Sequence, residues 1–284
     1  MIFQEGSDDM FSKPLQEVKE YTKPILFATK LYDEEKIIKG SATLFFVNEL
    51  GYAITCKHVA IELINFQKIK EQFEHKKNNN TLKKGDPISR SFSFPNTYKS
   101  FGKINFTLHS LYDLAIIKFE DVKEKLYDNH AFFPRDNAKV DQGTSVCKIG
   151  FPYAEFDNVK FFEENQNIVF DNSKLLEFQH FPLDGIITRH LFDQNKKKFG
   201  FETSSPGLRG QSGGPIINKD GLVVGIQSMT RHIHLGFDIE NFQIKKNNTI
   251  KTVSDYQFIN LGIGIDYKII KKFLHENNVK YYEK

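Results

Sequence analysis

The apolar residues of this chain come in many short runs, nearly all of them punctuated by Gly, Pro or Asn. Pro24–Leu31 (PILFATKL), Gly40–Val47 (GSATLFFV) and Gly51–Thr55 (GYAIT) are rich in β-branched and aromatic residues and read as strands, the last two joined by a hairpin turn at Asn48-Glu49-Leu50. Ser91–Phe94, Lys103–Leu108 and Leu114–Phe119 follow. Further on, the same reading applies to Ser145–Ile149, Asn167–Phe170, Leu175–Phe178, Gly185–Leu191, Lys198–Glu202, Pro215–Asn218, Leu222–Gln227 and Phe258–Ile265. So many short strands predict an all-β barrel or sandwich. Two segments break the pattern. Val59, Ile61, Leu63, Ile64, Phe66, Ile69 and Phe73 repeat with the period of a helix of about four turns. Tyr267–His275 is a second helix, with Ile269, Ile270, Phe273 and Leu274 on one face.

A length of 284 residues suits two domains or two lobes of one fold. Lys139–Gly143 reads as the link between them, which gives an N-terminal arm over 1–23, a first lobe over 24–138 and a second over 139–284. With 28 Phe and no Trp, phenylalanine is expected to fill much of the core. The charge is nearly balanced, 39 Lys+Arg against 36 Asp+Glu, which argues against nucleic acid or an anionic membrane as the main partner. No apolar stretch approaches the roughly 20 residues of a membrane span. The acidic, polar start (MIFQEGSDDM) lacks the basic and apolar regions of a secretory signal. Two cysteines, Cys56 and Cys147, make neither a disulfide scaffold nor a zinc site; both are expected reduced, in a cytoplasmic protein. His232 and His234 alternate as on a strand, but no third metal ligand can be named beside them. The run His75–Asn80 (HKKNNN) and the polar stretch to Arg90 read as a solvated surface insertion.

Three segments carry chemistry. In ITCKHV, His58 follows a strand; in LYDLAIIK, Asp113 precedes one; in GQSGGP, Ser212 sits in a glycine-rich turn before another. Attack of a hydroxyl on an acyl carbon needs a base, a carboxylate to fix the base's tautomer, and donors for the developing oxyanion. Ser212, His58, Asp113 and the backbone N–H groups of Gly210, Gln211 and Ser212 would supply these parts. A GxSxG motif alone would suggest the elbow of an α/β-hydrolase, but here a strand follows the serine and the order is His, Asp, Ser.

In that order the chain resembles a trypsin-like serine protease of the chymotrypsin fold, nearest to the protease domain of the bacterial HtrA/Deg group. The resemblance rests on Gly40-Ser41 with Phe45-Phe46-Val47, ITCKHV, DLAIIK, Lys148-Ile149-Gly150-Phe151-Pro152, Gly185-Ile186-Ile187-Thr188, Glu202-Thr203, Pro206-Gly207, GQSGGP and Ile263-Gly264-Ile265-Asp266, all in sequence order over about residues 40 to 275. It implies two six-stranded antiparallel β-barrels, a helix after the catalytic histidine and a C-terminal helix. No PDZ domain follows in the sequence, so the PDZ-regulated trimer of that group is not expected. Gln211 stands where pancreatic-type enzymes carry the aspartate that pairs with a newly cut N-terminus, so activation by that ion pair is not expected either.

The resemblance further implies an endopeptidase acting through an acyl-enzyme on protein or peptide substrates, with no metal or organic cofactor. Its specificity pocket would be walled by Pro206 and Leu208, by Gln227, Ser228 and Met229, and by the strand around Leu261. No Asp or Glu lies between Ser204 and Ser212, and a buried Arg or Lys of the substrate would stand unpaired. Small or medium apolar residues are therefore expected before the scissile bond. Two other readings remain at this stage: an effector protease activated by a protein partner docking on 1–23, 62–100 or 231–256, and a silent binding module on the same fold.

Overall fold

The computed structural model describes residues 10–153, 155–171, 178–246 and 249–284. Twelve strands form its two main sheets. In the first half β1 (Thr22–Leu31), β2 (Ile37–Phe46), β3 (Tyr52–Thr55), β4 (Pro87–Ser93), β5 (Lys103–Leu108) and β6 (Ala115–Glu120) make one six-stranded antiparallel sheet in the order β4-β1-β2-β3-β6-β5. In the second, β7 (Ser145–Lys148), β8 (Leu183–Phe192), β9 (Lys198–Thr203), β10 (Pro215–Ile217), β11 (Val223–Lys246) and β12 (Thr249–Asp266) close into a barrel in the order β7-β8-β9-β12-β11-β10. The expected mostly-β, two-lobed architecture is what the chain adopts. The expected strand Leu175–Phe178 falls largely outside the described residues.

The main core cluster runs through both lobes, from Val18 to Val279, and a second, smaller one gathers Leu26, Ala28, Phe156, Val159, Ile168 and Phe170. Phenylalanine fills it as the composition suggests: Phe45, Phe46, Phe119, Phe133, Phe151 and Phe201 are among the largest fully buried side chains. Phe46 stacks on Tyr127 with ring centroids 3.7 Å apart, and the Tyr98 and Tyr127 hydroxyls hydrogen-bond at 2.8 Å, so the buried phenol groups are satisfied.

Helices differ from the sequence expectation in three places. Residues Ser12–Tyr21, read as part of an arm, form α1, which buries Val18 and Tyr21 in the core. Three apolar residues, Leu15, Val18 and Tyr21, are its whole inward face, too short a repeat to stand out. The helix expected after His58 is two, α2 (Lys57–Ile64) and α3 (Phe66–Asn78), broken at Asn65, whose backbone (φ −86°, ψ 0°) leaves the helical region. α3 takes up most of the Lys/Asn run, with His75, Lys76 and Lys77 in its last turn, where cations complement the helix dipole. The C-terminal helix α4 (Tyr267–Glu276) is as expected. Asp266 caps it, accepting a hydrogen bond from Lys268 N–H at 2.9 Å, and its apolar face is buried.

The segment after Arg231, considered above as a docking surface, is β-structure up to Lys246 and again from Thr249. β11 and β12 leave the barrel as a two-stranded ribbon paired from Arg231↔Leu261 to Lys246↔Thr249, with irregularities between His234 and Asp238 and between Ile239 and Phe242. Most of its side chains, including Phe237, Phe242 and Ile250, are exposed.

Candidate active site

β3 ends at Thr55, Cys56 is an extended N-cap, and His58 is the second residue of α2. Asp113 lies in the turn between β5 and β6. His109 shapes that turn: its N–H donates to Leu114 O at 2.9 Å, and its ring Nδ1 accepts from the N–H groups of Leu111 and Tyr112, both at 3.0 Å. Lys57 Nζ clamps the same turn to α2 through His109 O at 2.8 Å.

Asp113 meets His58 twice. His58 Nδ1 is 2.8 Å from Oδ2, and the His58 backbone N–H donates to Oδ1 at 2.9 Å. The Ser228 hydroxyl also donates to Oδ2, at 2.6 Å. Burial pushes this carboxyl up, but the bonds from the His58 ring, the Ser228 hydroxyl and the His58 N–H outweigh it and hold the group at about 2. An ionised carboxylate at Nδ1 draws the imidazole proton there and leaves the Nε2 lone pair as the base.

Ser212 stands between two tight turns. Gln211 N–H donates to Leu208 O and Gly214 N–H to Gln211 O, each at 2.9 Å. The third corners are Gly210 (φ 105°) and Gly213 (φ 87°), the left-handed conformations such turns demand. Space excludes a side chain as well. A Cβ on Gly213 would lie 2.1 Å from Thr43 O, and one on Gly210 would lie 2.4 Å from Phe151 O.

The first lobe braces this loop of the second. On β2, Thr43 N–H donates to Ser212 O at 2.9 Å and Thr43 Oγ1 to Gly210 O at 2.8 Å. The Ser212 hydroxyl donates to Ser228 O at 3.3 Å. Ser228 therefore holds Asp113 with its hydroxyl and Ser212 with its carbonyl. Of the three N–H groups expected at an oxyanion site, that of Gln211 is spent within its turn. Those of Gly210 and Ser212 make no hydrogen bond among the described residues. The Gln211 side chain is buried, with Oε1 accepting from Leu208 N–H at 3.0 Å and Nε2 donating to Phe181 O at 3.2 Å.

Among the described residues, one group places three metal-ligand atoms within 4.8 Å of one another: Cys56, His58 and Asp113. Its chemistry does not suit a cation. Cys56 Sγ donates to Gln227 O at 3.2 Å, and burial raises its thiol well above the usual range, so the thiolate is disfavoured. His232 and His234 pair separately, with Asn260 and Asp238. Cys56 and Cys147 are free and buried.

The segments expected to wall the specificity pocket do meet. Thr230 Oγ1 donates to Gly207 O at 2.6 Å, Gly262 N–H donates to Ser205 O at 2.9 Å, and Thr230 pairs with Gly262 across β11 and β12. Gln227 and Ser228 are buried, Met229 is exposed, and Pro206 and Leu208 are half-buried. Leu261 sits at the root of the ribbon, opposite Arg231. Two residues that matter here escaped the sequence reading: Thr43, a strand residue by pattern, and Lys148, whose side chain runs to the Ser205 and Pro206 carbonyls at 2.5 and 2.7 Å. Beside Asp113 and Ser228 an adjoining cavity of about 630 Å³ is lined by Leu111, Tyr112, Phe192, Phe199, Met229 and Ile263, among others. A larger hollow of about 1160 Å³ lies between the Lys30–Lys36 turn and α3, and none of His58, Asp113 and Ser212 lines it.

Compared with protein families, the chain matches the model of the trypsin-like peptidase domain over residues 40–226, which includes His58, Asp113 and Ser212. No curated protein matches the chain. No helix among the described residues is long and apolar enough to cross a membrane.

Proposed function

Since this chain belongs to the trypsin-like peptidase family, we propose that it is a serine endopeptidase in which Ser212 is the nucleophile, His58 the general base and acid, and Asp113 the residue that orients His58. The observation that carries this reading is the Asp113 carboxylate, which takes two bonds from His58 and one from Ser228 while Ser228 O holds the Ser212 hydroxyl. In the reaction the Ser212 hydroxyl turns from Ser228 O to His58 Nε2 and gives up its proton as Oγ attacks the substrate carbonyl. The resulting oxyanion is met by the N–H groups of Gly210 and Ser212. His58 then protonates the leaving amine, and water repeats the sequence on the acyl-enzyme. Each oxyanion donor is worth about 3 kcal/mol of barrier.

Gln211 supports activity without cutting of the chain. Its buried amide makes the bonds to Leu208 and Phe181 that hold the nucleophile turn, where pancreatic-type enzymes need an ion pair to a new N-terminus. The cavity beside Asp113 suits apolar side chains upstream of the scissile bond.

The test is hydrolysis of an unfolded protein such as casein. The purified chain should generate peptides, and Ser212→Ala should not. Equal proteolysis by both would remove Ser212 from the nucleophile's role.

A further inference from the structure

We propose that Lys148 makes the specificity pocket selective for an acidic side chain, Glu or Asp, on the residue whose carbonyl Ser212 attacks. This rests on the peptidase reading above and replaces the small apolar preference expected from the sequence.

Position comes first. The pocket lies between the 203–208 segment and the 227–230 segment, with Gly262 behind. A Cβ on Gly262 would come within 2.6 Å of Thr203 Oγ1 and 2.7 Å of Lys148 Nζ. Lys148 comes from β7 and sets its amine against Thr203, Ser205, Pro206 and Gly262, which belong to the expected walls of that pocket. Three hydrogen bonds hold it there: to Thr203 Oγ1 at 3.1 Å, Ser205 O at 2.5 Å and Pro206 O at 2.7 Å.

Charge comes next. Lys148 is fully buried, and no salt bridge reaches it among the described residues. The neighbouring acid, Glu202, is engaged elsewhere, with Arg189 and Arg231. Buried ions in proteins are normally paired, and this one has only neutral partners. Burial accordingly pushes the amine down to about 7. A carboxylate brought in by substrate would complete the missing pair. A substrate Arg or Lys would meet like charge.

The partners are also poised to yield. Ser205 O accepts from Gly262 N–H at 2.9 Å and Thr203 Oγ1 at 3.0 Å as well as from Lys148, so three donors crowd an oxygen with two lone pairs. The ammonium can turn one N–H to an incoming carboxylate and leave that carbonyl satisfied. Between the expected walls stand the Gln227 side chain, whose Nε2 donates to Met229 O at 2.8 Å, and the Thr230–Gly207 bond. Both are side-chain obstacles that rotate aside, and both are polar. An apolar guest that opened the Thr230–Gly207 bond would strand the Thr230 hydroxyl, whereas an acidic one would accept its hydrogen bond.

The experiment uses fluorogenic peptides that differ only in that residue: Glu, Asp, Gln, Ala, Leu or Lys. The expected result is kcat/KM for Glu or Asp about tenfold or more above Gln, with Lys the poorest. In Lys148→Met the acid-to-Gln ratio should fall to about one, a ratio read within one preparation so that any misfolded fraction cancels. Faster cleavage after Ala or Leu, preference for Gln over Glu, or a ratio unchanged in the variant would overturn the assignment; the last would leave Lys148 as a clip on the 203–206 segment. If Lys148→Met does not fold, the peptide series on the unaltered protein still decides. A Ser212-dependent burst with p-nitrophenyl acetate separates the two claims. A burst without acid preference overturns the pocket assignment alone, and absence of the burst overturns the peptidase reading with it.

Discussion

At the candidate active site, Asp113 is a half-buried charge whose hydrogen bonds come from His58 and from Ser228, and its carboxyl is held at about 2. Beside the 203–206 segment, Lys148 is a buried charge surrounded by carbonyls and a hydroxyl, its amine pushed down to about 7. The cost of removing an ion from water is the same kind of cost in both places; what differs is whether the protein returns it. Asp113 works on a group that belongs to the chain, so its partners are built in and permanent. Lys148 has no built-in counter-ion, which is what a residue needs if its counter-ion arrives with the substrate.

The largest effect expected from breaking this contrast is at Asp113. Asp113→Asn should lower turnover by about 10⁴, because the amide no longer enforces the Nδ1–H tautomer of His58. A drop of less than tenfold in kcat/KM would remove Asp113 from that role. The same carboxylate sets an acid limit. Its folded value lies below the usual one, so its contribution to stability is complete above about pH 4 and lost as pH falls toward 2.

The smaller effect is at Lys148, and its sign is the reverse of the common case for lysine. The folded amine titrates at about 7 against a usual 10.5, so between those values the unfolded chain holds more protons and stability rises with pH. The groups facing the amine are the Cys147 thiol from its own strand, the Thr203 hydroxyl, and the Ser205 and Pro206 carbonyls. Burial pushes the Cys147 thiol up to about 12, above this window, so none of them cancels the trend. Measured by thermal melts against Lys148→Met, the unaltered protein should gain a few degrees between about pH 7 and 9. A flat difference across that window would mean that the amine titrates in the ordinary lysine range.

The site was more legible than its surroundings, for physical reasons. His58, Asp113 and Ser212 each sit where a strand starts or ends, and Gly210 and Gly213 mark a turn that only glycine can make, so short local patterns carried the information. Thr43 and Ser228 do their work through backbone groups and one hydroxyl across the lobe boundary, and no local pattern records that. The inward role of Lys148, a residue noted only as part of a motif, was hidden for the opposite reason. A lysine in a strand reads as a solvent-facing residue, and only the closed barrel turns it inward. The ribbon beyond Arg231 was missed because its apolar and polar residues do not alternate cleanly around its two irregularities and no second layer covers it. The remaining strands of both lobes were legible almost throughout, since each is short and bounded by turn residues.

The most direct test of the account is labelling of the purified protein with a fluorophosphonate, which reacts with a serine only where base and oxyanion donors are assembled and needs no knowledge of the substrate. The account predicts one label per chain, on Ser212, with none in Ser212→Ala. A folded, monodisperse protein that takes up no label, or takes it up equally in the alanine variant, would contradict it.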